Sequence, residues 1–196
     1  MEEKVTQLLS THIESAIALA DQRPDQIITA GMRLTQSLLA DGKILIAAHG
    51  RSYANGIHFL TNLLNRYEVE RPPLPGMMLG SSMSLLQVLN NEGHQDQLFA
   101  REIQALGHAN DVLLILTTSG SASSLVQAIH AAKDKNMDCV VLGGDLGGML
   151  EHHLGSCDSF IKVPSQHTAR ILELQLVVLH AWCDIVDNVL FGQMSE

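Results

Sequence analysis

The sequence is poor in cysteine and in positive charge, and each shortage argues against a class of protein. Its cysteines, Cys139, Cys157 and Cys183, are an odd number without a C-x-x-C spacing. That pattern fits neither a disulfide framework nor a zinc site, so we expect buried or inert thiols. Lys and Arg number 12 against 21 Asp and Glu, a formal net charge of -9. Because such a surface repels a phosphate backbone, we expect no direct nucleic-acid partner.

Long apolar runs and a basic leader are also missing. No apolar run approaches the length of a membrane span, and the start, Met1-Glu2-Glu3-Lys4, is acidic and helical in pattern, unlike a secretory signal. The 196 residues are 46% apolar and 17% charged, which is typical of a globular protein with one core. We therefore expect a single cytoplasmic domain over residues 1–196 that does not contact membranes.

Strand and helix patterns alternate along the chain. Continuous apolar runs at 44–48, 112–116 and 139–142 predict strands buried on both faces, with weaker candidates at 76–80 and 159–163. Between them, helical periodicity covers residues 53–66, 82–91, 95–106 and 121–136. This order predicts a doubly wound α/β domain with a mainly parallel, five-stranded sheet and helices on both faces.

Helices are predicted at both ends of this α/β core, which spans residues 43–165. Residues 1–42 form a helical pair, at 3–21 and from Pro24 to near Asp41, with Pro expected at the start of the second helix and Gly42 past its end. A long helix covers 166–190 within a C-terminal segment that runs to residue 191. It is apolar around most of its circumference, which predicts burial on more than one side and a helix-lined subunit interface.

Two strand-to-helix crossings have the composition of anion-binding loops. Backbone N–H groups and the helix dipole converge at such a crossing, and small or hydroxyl side chains leave room for an anion. The candidate residues are Gly50, Arg51, Ser52, Thr117, Thr118, Ser119 and Ser121. Neither loop is a P-loop or a G-x-G-x-x-G motif. An alternative is that the Ser and Thr side chains only cap the helices.

The same loops resemble motifs of the SIS (sugar isomerase) family. The resemblance rests on A-H-G-R-S-Y-A-N-G-I-H-F at 48–59 and T-T-S-G-S-A at 117–122, and it continues through R-P-P-L-P at 71–75, P-S-Q-H-T-A-R-I-L-E at 164–173 and D-I-V-D-N-V-L-F at 184–191. Two branches of the family are similar: the phosphoheptose isomerases, and a non-enzymatic branch that associates with the replication initiator DnaA. The C-terminal segment resembles the second branch more.

Departures from the isomerase pattern fall at its catalytic positions. Asn62 stands where the resemblance places a catalytic carboxylate, and Leu172 stands where it places an active-site Gln, although His180 matches the catalytic His. Isomerisation requires a group that removes a proton from carbon and returns it, and an amide cannot do this. We therefore expect no catalytic site. A relocated site would need Glu173, His180 and Asp184 on the last helix, but such polar stripes are more typically structural.

Neither a metal nor another cofactor is expected. His58 and Asn62 have the i, i+4 spacing that places two ligands on one helical face. An amide is nevertheless a poor zinc ligand, because zinc selects His, Cys or carboxylate. We expect His58 to be a core or interface residue.

The resemblance implies a homotetrameric adaptor that binds DnaA and promotes its assembly at the chromosomal origin. Leu190 and Phe191 are the candidate partner-binding residues, since a few large apolar side chains carry most interface energy; helix-end packing is the alternative. Two other functions remain open: a phosphoheptose isomerase acting on sedoheptulose 7-phosphate, and a sensor that binds a sugar phosphate without turnover.

Overall fold

A parallel sheet between two layers of helices organises the computed structural model, which describes residues 1–146 and 148–192. The strands are β1 (Ile44–Ala48), β2 (Gly76–Met78), β3 (Val112–Leu116), β4 (Asp138–Gly144) and β5 (Ser159–Val163). All neighbours pair in parallel, in the order β2-β1-β3-β4-β5. The predicted five-stranded parallel sheet is confirmed.

The central strands are apolar throughout because helices cover both of their faces. Every residue of β1 and β3 is buried. Along β1, Ile44 and Ile46 contribute to one apolar cluster and Leu45 and Ala47 to a second cluster on the opposite face. The continuous apolar runs in the sequence therefore correspond to strands with two buried faces.

Seven α-helices complete the fold of the described residues. They are α1 (Glu2–Gln22), α2 (Pro24–Leu39), α3 (Ser52–Leu64), α4 (Met83–Asn91), α5 (Leu98–Leu106), α6 (Ser123–Asp134) and α7 (Thr168–Phe191), with short 3-10 helices at Gln95–Gln97 and Leu150–His153. The first apolar cluster joins the sheet to α2, α3 and α7, and the second joins it to α4, α5 and α6. The prediction of helices on both faces is confirmed.

Two predicted helix ends differ in local conformation from the structure, for physical reasons. The second helix ends at Leu39, and Asp41, not the following glycine, adopts the left-handed conformation with φ of 58°. Gly42 is needed for space, because a Cβ there would lie 2.2 Å from the carbonyl oxygen of Asn110. The predicted helix over 95–106 begins with a 3-10 turn and becomes α-helical at Leu98. The other predicted boundaries lie within two residues of those observed.

The last helix, α7, is the core helix of this fold. Leu174, Leu179 and Trp182 are completely buried, and the Trp182 Nε1–H donates a hydrogen bond to the carbonyl oxygen of Ile27 at 2.9 Å. With 24 residues, α7 is long and apolar enough to cross a membrane by length and composition alone, although polar and charged residues interrupt its apolar runs. Its burial among α2, α3 and the sheet accounts for part of its apolar composition, and the exposed Val177 and Val189 leave the predicted subunit interface as a prediction.

The cysteines meet only part of the expectation of inert thiols. Cys139 and Cys183 are buried, and burial raises the pKa of both, that of Cys183 to about 12. A raised pKa suppresses the reactive thiolate, as expected for inert side chains. Cys157 is exposed because it lies in the turn before β5, so for this thiol only the expectation of an inert side chain stays open.

Candidate functional site

The order of the strands creates a crevice between β1 and β3. From β1 the chain moves outward to β2 and then crosses to β3 on the other side of β1. In open α/β sheets, ligands bind at the carboxyl ends of the strands where the order reverses in this way. A cleft of about 350 Å³ lies there, between the loops that follow β1 and β3 and the start of α7. We call it the switch-point cleft.

Five of the seven predicted loop residues line the switch-point cleft: Gly50, Arg51, Thr117, Thr118 and Ser119. The other two predicted residues, Ser52 and Ser121, are not among its lining residues. The Oγ atoms of Ser119 and Ser121 lie 2.9 Å apart, so Ser121 contacts a residue that lines the cleft. The sequence thus identified most of this surface.

Ser52 lies at the first residue of α3, just behind the lining loop. It is 1% exposed, and its Oγ has no hydrogen-bond partner among the described residues. An unpaired buried hydroxyl is unfavourable in a folded protein and calls for an explanation. Its position beside Gly50 and Arg51 makes Ser52 part of the support of the cleft, not of its surface.

The hydroxyl side chains of these loops do not cap the helices. Arg51 is the N-cap of α3 and Ala122 is the N-cap of α6, and neither helix has a side-chain cap hydrogen bond. The helix α7, which begins beside the cleft at Thr168, also has no side-chain cap. The alternative that Ser and Thr serve only as caps is therefore wrong. Uncapped N–H groups at helix starts are suited to an anion.

Two glycines give the loops their shape. Gly50 and Gly120 have φ of 56° and 63°, in the left-handed region that disfavours side chains. The N–H of Gly120 donates to Thr117 Oγ1 at 3.0 Å, and its carbonyl oxygen accepts the N–H of Met149 at 2.9 Å. The loop after β3 is thus held from inside by Thr117 and from outside by the segment after β4.

His49, Ala122 and Thr168 also line the cleft and were missed from the sequence. The Nε2 of His49 lies 2.5 Å from Ser124 Oγ, and its ring centroid lies 4.9 Å from that of Phe99. Burial lowers the pKa of His49. One signal was available: His49 directly follows the last residue of a predicted strand, at the edge where ligands bind.

The family's catalytic positions form a second cluster, between α3 and α7. The Nε2 atoms of His58 and His180 lie 2.8 Å apart, and Asn62 Nδ2 lies 3.4 Å from His58 Nε2. Tyr67 stacks on His180 with ring centroids 5.3 Å apart. Burial and the neighbouring His58 lower the pKa of His180. Asn62 supplies an amide where the resemblance leads one to expect a carboxylate, and Asp184 and Glu68 are the acidic residues whose charges act on His180.

The structure narrows one expectation for this region and removes one alternative. His58 is exposed in the single chain, so it is not a core residue, and an interface position stays a prediction. Glu173 does not join His180 and Asp184, because it accepts hydrogen bonds from Arg170 Nε and His12 Nδ1, both at 2.7 Å. Within the described residues, no group of three or more His, Cys, Asp or Glu side chains is placed to hold a metal ion.

The predicted partner-binding pair lies at the end of α7. Leu190 and Phe191 are half-buried and pack against the first apolar cluster. Gly192 ends the helix in the left-handed conformation, with its N–H donating to the carbonyl oxygen of Asn188 at 3.0 Å. Part of each large side chain therefore serves helix-end packing, and the remaining surface of each is accessible.

Comparison with known proteins places this fold and these loops in a family. Residues 9–144 match the SIS domain model. A phosphoheptose isomerase from Francisella tularensis superposes with a TM-score of 0.91 and 33% identity, over 95% of this chain and 97% of that one. The chain therefore belongs to the SIS domain family, and it has the phosphoheptose isomerase form of that fold.

Within the family, the chain is similar along its whole length to one group of proteins. It is 40% identical to the DnaA initiator-associating protein DiaA of Escherichia coli (strain K12) over 196 residues, which is all of both chains. It is 39% identical, with the same complete coverage, to DiaA of Edwardsiella ictaluri (strain 93-146). The predicted resemblance to this branch is confirmed.

Proposed function

We propose that this chain is a non-enzymatic adaptor of the DiaA type, which binds the replication initiator DnaA and promotes its assembly at the chromosomal origin. One observation carries the proposal: identity of 39–40% to DiaA proteins with no part of either chain left unmatched. Every surface that such a protein uses to meet its partner therefore has a counterpart in this sequence.

The chemistry at the family's catalytic positions supports an adaptor over an enzyme. By the resemblance, Asn62 and Leu172 occupy the positions of the carboxylate and the polar Gln, and the side chains in direct contact with His180 are those of His58 and Tyr67. A reaction that moves a proton between two carbons needs a group with a pKa near the working pH on each side. The amide of Asn62 does not titrate in that range.

A homotetramer supplies the mechanism of the adaptor. Several weak docking sites on one symmetric scaffold raise the effective concentration of bound partners, so that avidity exceeds the affinity of one site by about 10²–10⁴. Helix α1 offers a surface for such assembly, because Val5, Leu9, Ile13 and Ile17 follow one another at four-residue spacing and each is more than half exposed.

The partner surface in this proposal is the end of α7, at Leu190 and Phe191. DNA is then contacted by the initiator and not by this chain, whose net charge of -9 opposes direct contact. The same role places the protein in the cytoplasm, where the chromosome lies.

A pull-down with purified DnaA tests the adaptor function. Wild-type protein is expected to retain DnaA at micromolar concentration, and Leu190→Ala/Phe191→Ala is expected to lose it while keeping its oligomeric state by light scattering. Val177→Ala is the matched control, because Val177 is an exposed apolar residue of the same helix. It lies 13 residues away, about 20 Å along the axis.

Each result of the pull-down has a definite meaning. Loss of DnaA by the intact double variant but not by Val177→Ala supports both the partner and its surface. If wild type, the double variant and Val177→Ala all retain DnaA, DnaA is a partner but Leu190 and Phe191 do not form its binding surface. No retention by wild type refutes the adaptor function, and turnover of sedoheptulose 7-phosphate by wild type would establish the isomerase instead.

A second property is favoured by the switch-point cleft itself. Its uncapped helix starts and hydroxyl loops suit the phosphate group of a sugar phosphate bound without turnover. A thermal-shift titration with sedoheptulose 7-phosphate tests this, because ligand at 100 times its dissociation constant stabilises the fold by about 2.7 kcal/mol. An unchanged melting temperature at millimolar ligand would reject sugar-phosphate binding.

A further inference from the structure

The switch-point cleft has an unusual charge balance for this acidic protein. Of the described residues that line it, His49 and Arg51 are the titratable or charged ones, and no carboxylate is among them. Both lie on the loop after β1, on either side of Gly50. The chain as a whole has nine more acidic than basic side chains. An anion that enters this cleft therefore meets one permanent cation and one side chain that can become a cation.

The surroundings of His49 give its proton a structural effect. Its Nε2 contacts Ser124 Oγ on α6, and its ring packs against Phe99 on α5. The nearest carboxylate on that face of α5, Glu102, is buried one turn beyond Phe99 and accepts the N–H of Gly80 at 2.5 Å. From α7 the cleft receives the uncharged Thr168. No acidic partner from these elements thus stabilises a charged His49 before a ligand binds.

The hydrogen bond to Ser124 changes direction when His49 gains a proton. A neutral imidazole can accept the Ser124 O–H on Nε2, whereas an imidazolium has N–H groups on both ring nitrogens and must donate. Protonation then releases the serine hydroxyl hydrogen, in the first turn of α6, for another acceptor. A phosphate monoester dianion can accept this hydrogen and is attracted by the new positive charge.

We propose that His49 makes binding in the switch-point cleft proton-linked: a phosphate monoester binds together with a proton that is taken up by His49. This inference rests on the proposed sugar-phosphate binding and adds its regulation. The ligand class is a phosphate monoester, and the linkage makes occupancy of the adaptor's cleft sensitive to pH.

The sign of the linkage follows from the two states of His49. In the free protein, burial holds its pKa below the usual value, so the ring is neutral at pH 7. A bound dianion raises that pKa, because an opposite charge favours the charged form. The contribution of His49 to affinity is highest below the free-state pKa and falls as pH rises toward the raised bound-state pKa, by up to about tenfold per pH unit.

Isothermal titration calorimetry with sedoheptulose 7-phosphate measures this linkage directly. Titrations at pH 7 in two buffers with different ionisation enthalpies give the number of protons taken up per ligand bound. Wild type is expected to take up more protons than His49→Asn, with a difference approaching one. The Asn variant retains a hydrogen-bonding side chain but does not titrate in this range. The phosphate, whose own pKa is about 6, contributes equally to both titrations, so its contribution cancels in the difference.

Arg51→Gln is the matched control, because it removes the permanent cation from the same loop. It is expected to weaken binding by a similar factor at every pH and to keep the proton uptake of wild type. Equal proton uptake by wild type and His49→Asn, with measurable binding by both, would refute proton uptake by His49 and leave sugar-phosphate binding in place. No binding by any of the proteins between pH 5.5 and 8 would reject the sugar-phosphate ligand and this inference together.

Discussion

Gly148 and Gly93 have similar backbone conformations in different surroundings. Their φ values are 56° and 74°, both in the left-handed region. A Cβ at Gly148 would lie 2.2 Å from the carbonyl oxygen of Gly120, whereas at Gly93 nothing lies within 4 Å. Gly148 therefore permits the close approach that holds the loop after β3 in place. Comparison of the two glycines distinguishes the cost of a left-handed backbone, which both share, from the cost of a steric clash, which only Gly148 would have.

Replacing each glycine by alanine tests that role. Gly93→Ala is expected to lower the free energy of unfolding by about 1–2 kcal/mol, the strain of a left-handed residue. Gly148→Ala is expected to lower it by a further ~1–3 kcal/mol, because the backbone of Gly120 must move. Urea denaturation followed by circular dichroism measures both. Equal losses for the two variants would show that the contact with Gly120 is not constraining.

At the scale of elements, one buried ion pair connects α3 to α7. Arg71 Nε donates to Asp187 Oδ1 at 2.6 Å, and the two side chains are 1% and 7% exposed. The guanidinium also donates to the carbonyl oxygens of Asn62 and Leu63 at the end of α3. Arg71 thus anchors the turn of α7 that precedes Leu190 and Phe191.

Removal of one partner of this pair is expected to be costly. Arg71→Leu leaves Asp187 buried without a counter-charge, which destabilises by about 3–5 kcal/mol, and Arg71→Leu/Asp187→Leu is expected to recover part of that loss. Arg66→Leu is the control, because Arg66 pairs with Glu70 at the surface, where such pairs contribute about 0–1 kcal/mol. Urea denaturation of the four proteins completes the comparison, and a double variant less stable than Arg71→Leu would contradict it.

The predictable part of the site was local in sequence. The strand ends, the glycines and the hydroxyl residues of both loops are contiguous features, and five of the seven candidates line the cleft. The contact between His49 and Ser124 joins residues 75 positions apart. Periodicity and turn composition describe neighbours along the chain, so they do not predict a contact between residues that are distant in sequence.

For the whole molecule, the apolar stripe of α1 carries the proposal of a homotetramer. The first ten residues of the chain are exposed, and α1 contacts the rest of the fold through the carbonyl oxygen of Leu8, which accepts from Arg170, and through the buried Ser15 and Leu19. Four apolar side chains on one exposed face favour burial against another copy. The adaptor mechanism depends on this assembly, since avidity requires several linked sites.

A charge placed in this stripe is expected to dissociate the oligomer. Ile13→Glu is expected to lower the mass measured by light scattering and to reduce retention of DnaA, because each remaining unit has one weak site. Gln7→Glu adds the same charge to a polar, exposed position of α1 and is expected to change neither. An unchanged mass for Ile13→Glu would show that another surface forms the oligomer.

The sequence by itself determined the α/β class, the parallel strands and the amide at position 62, since these follow from local hydrophobic patterns and residue identity. Tertiary structure decided the rest. It showed that the hydroxyl residues of the two cleft loops do not cap α3 or α6, that Glu173 binds Arg170 and His12, and that Leu190 and Phe191 are half-buried. Each of these depends on which distant segments pack together, and packing is decided by the fold as a whole.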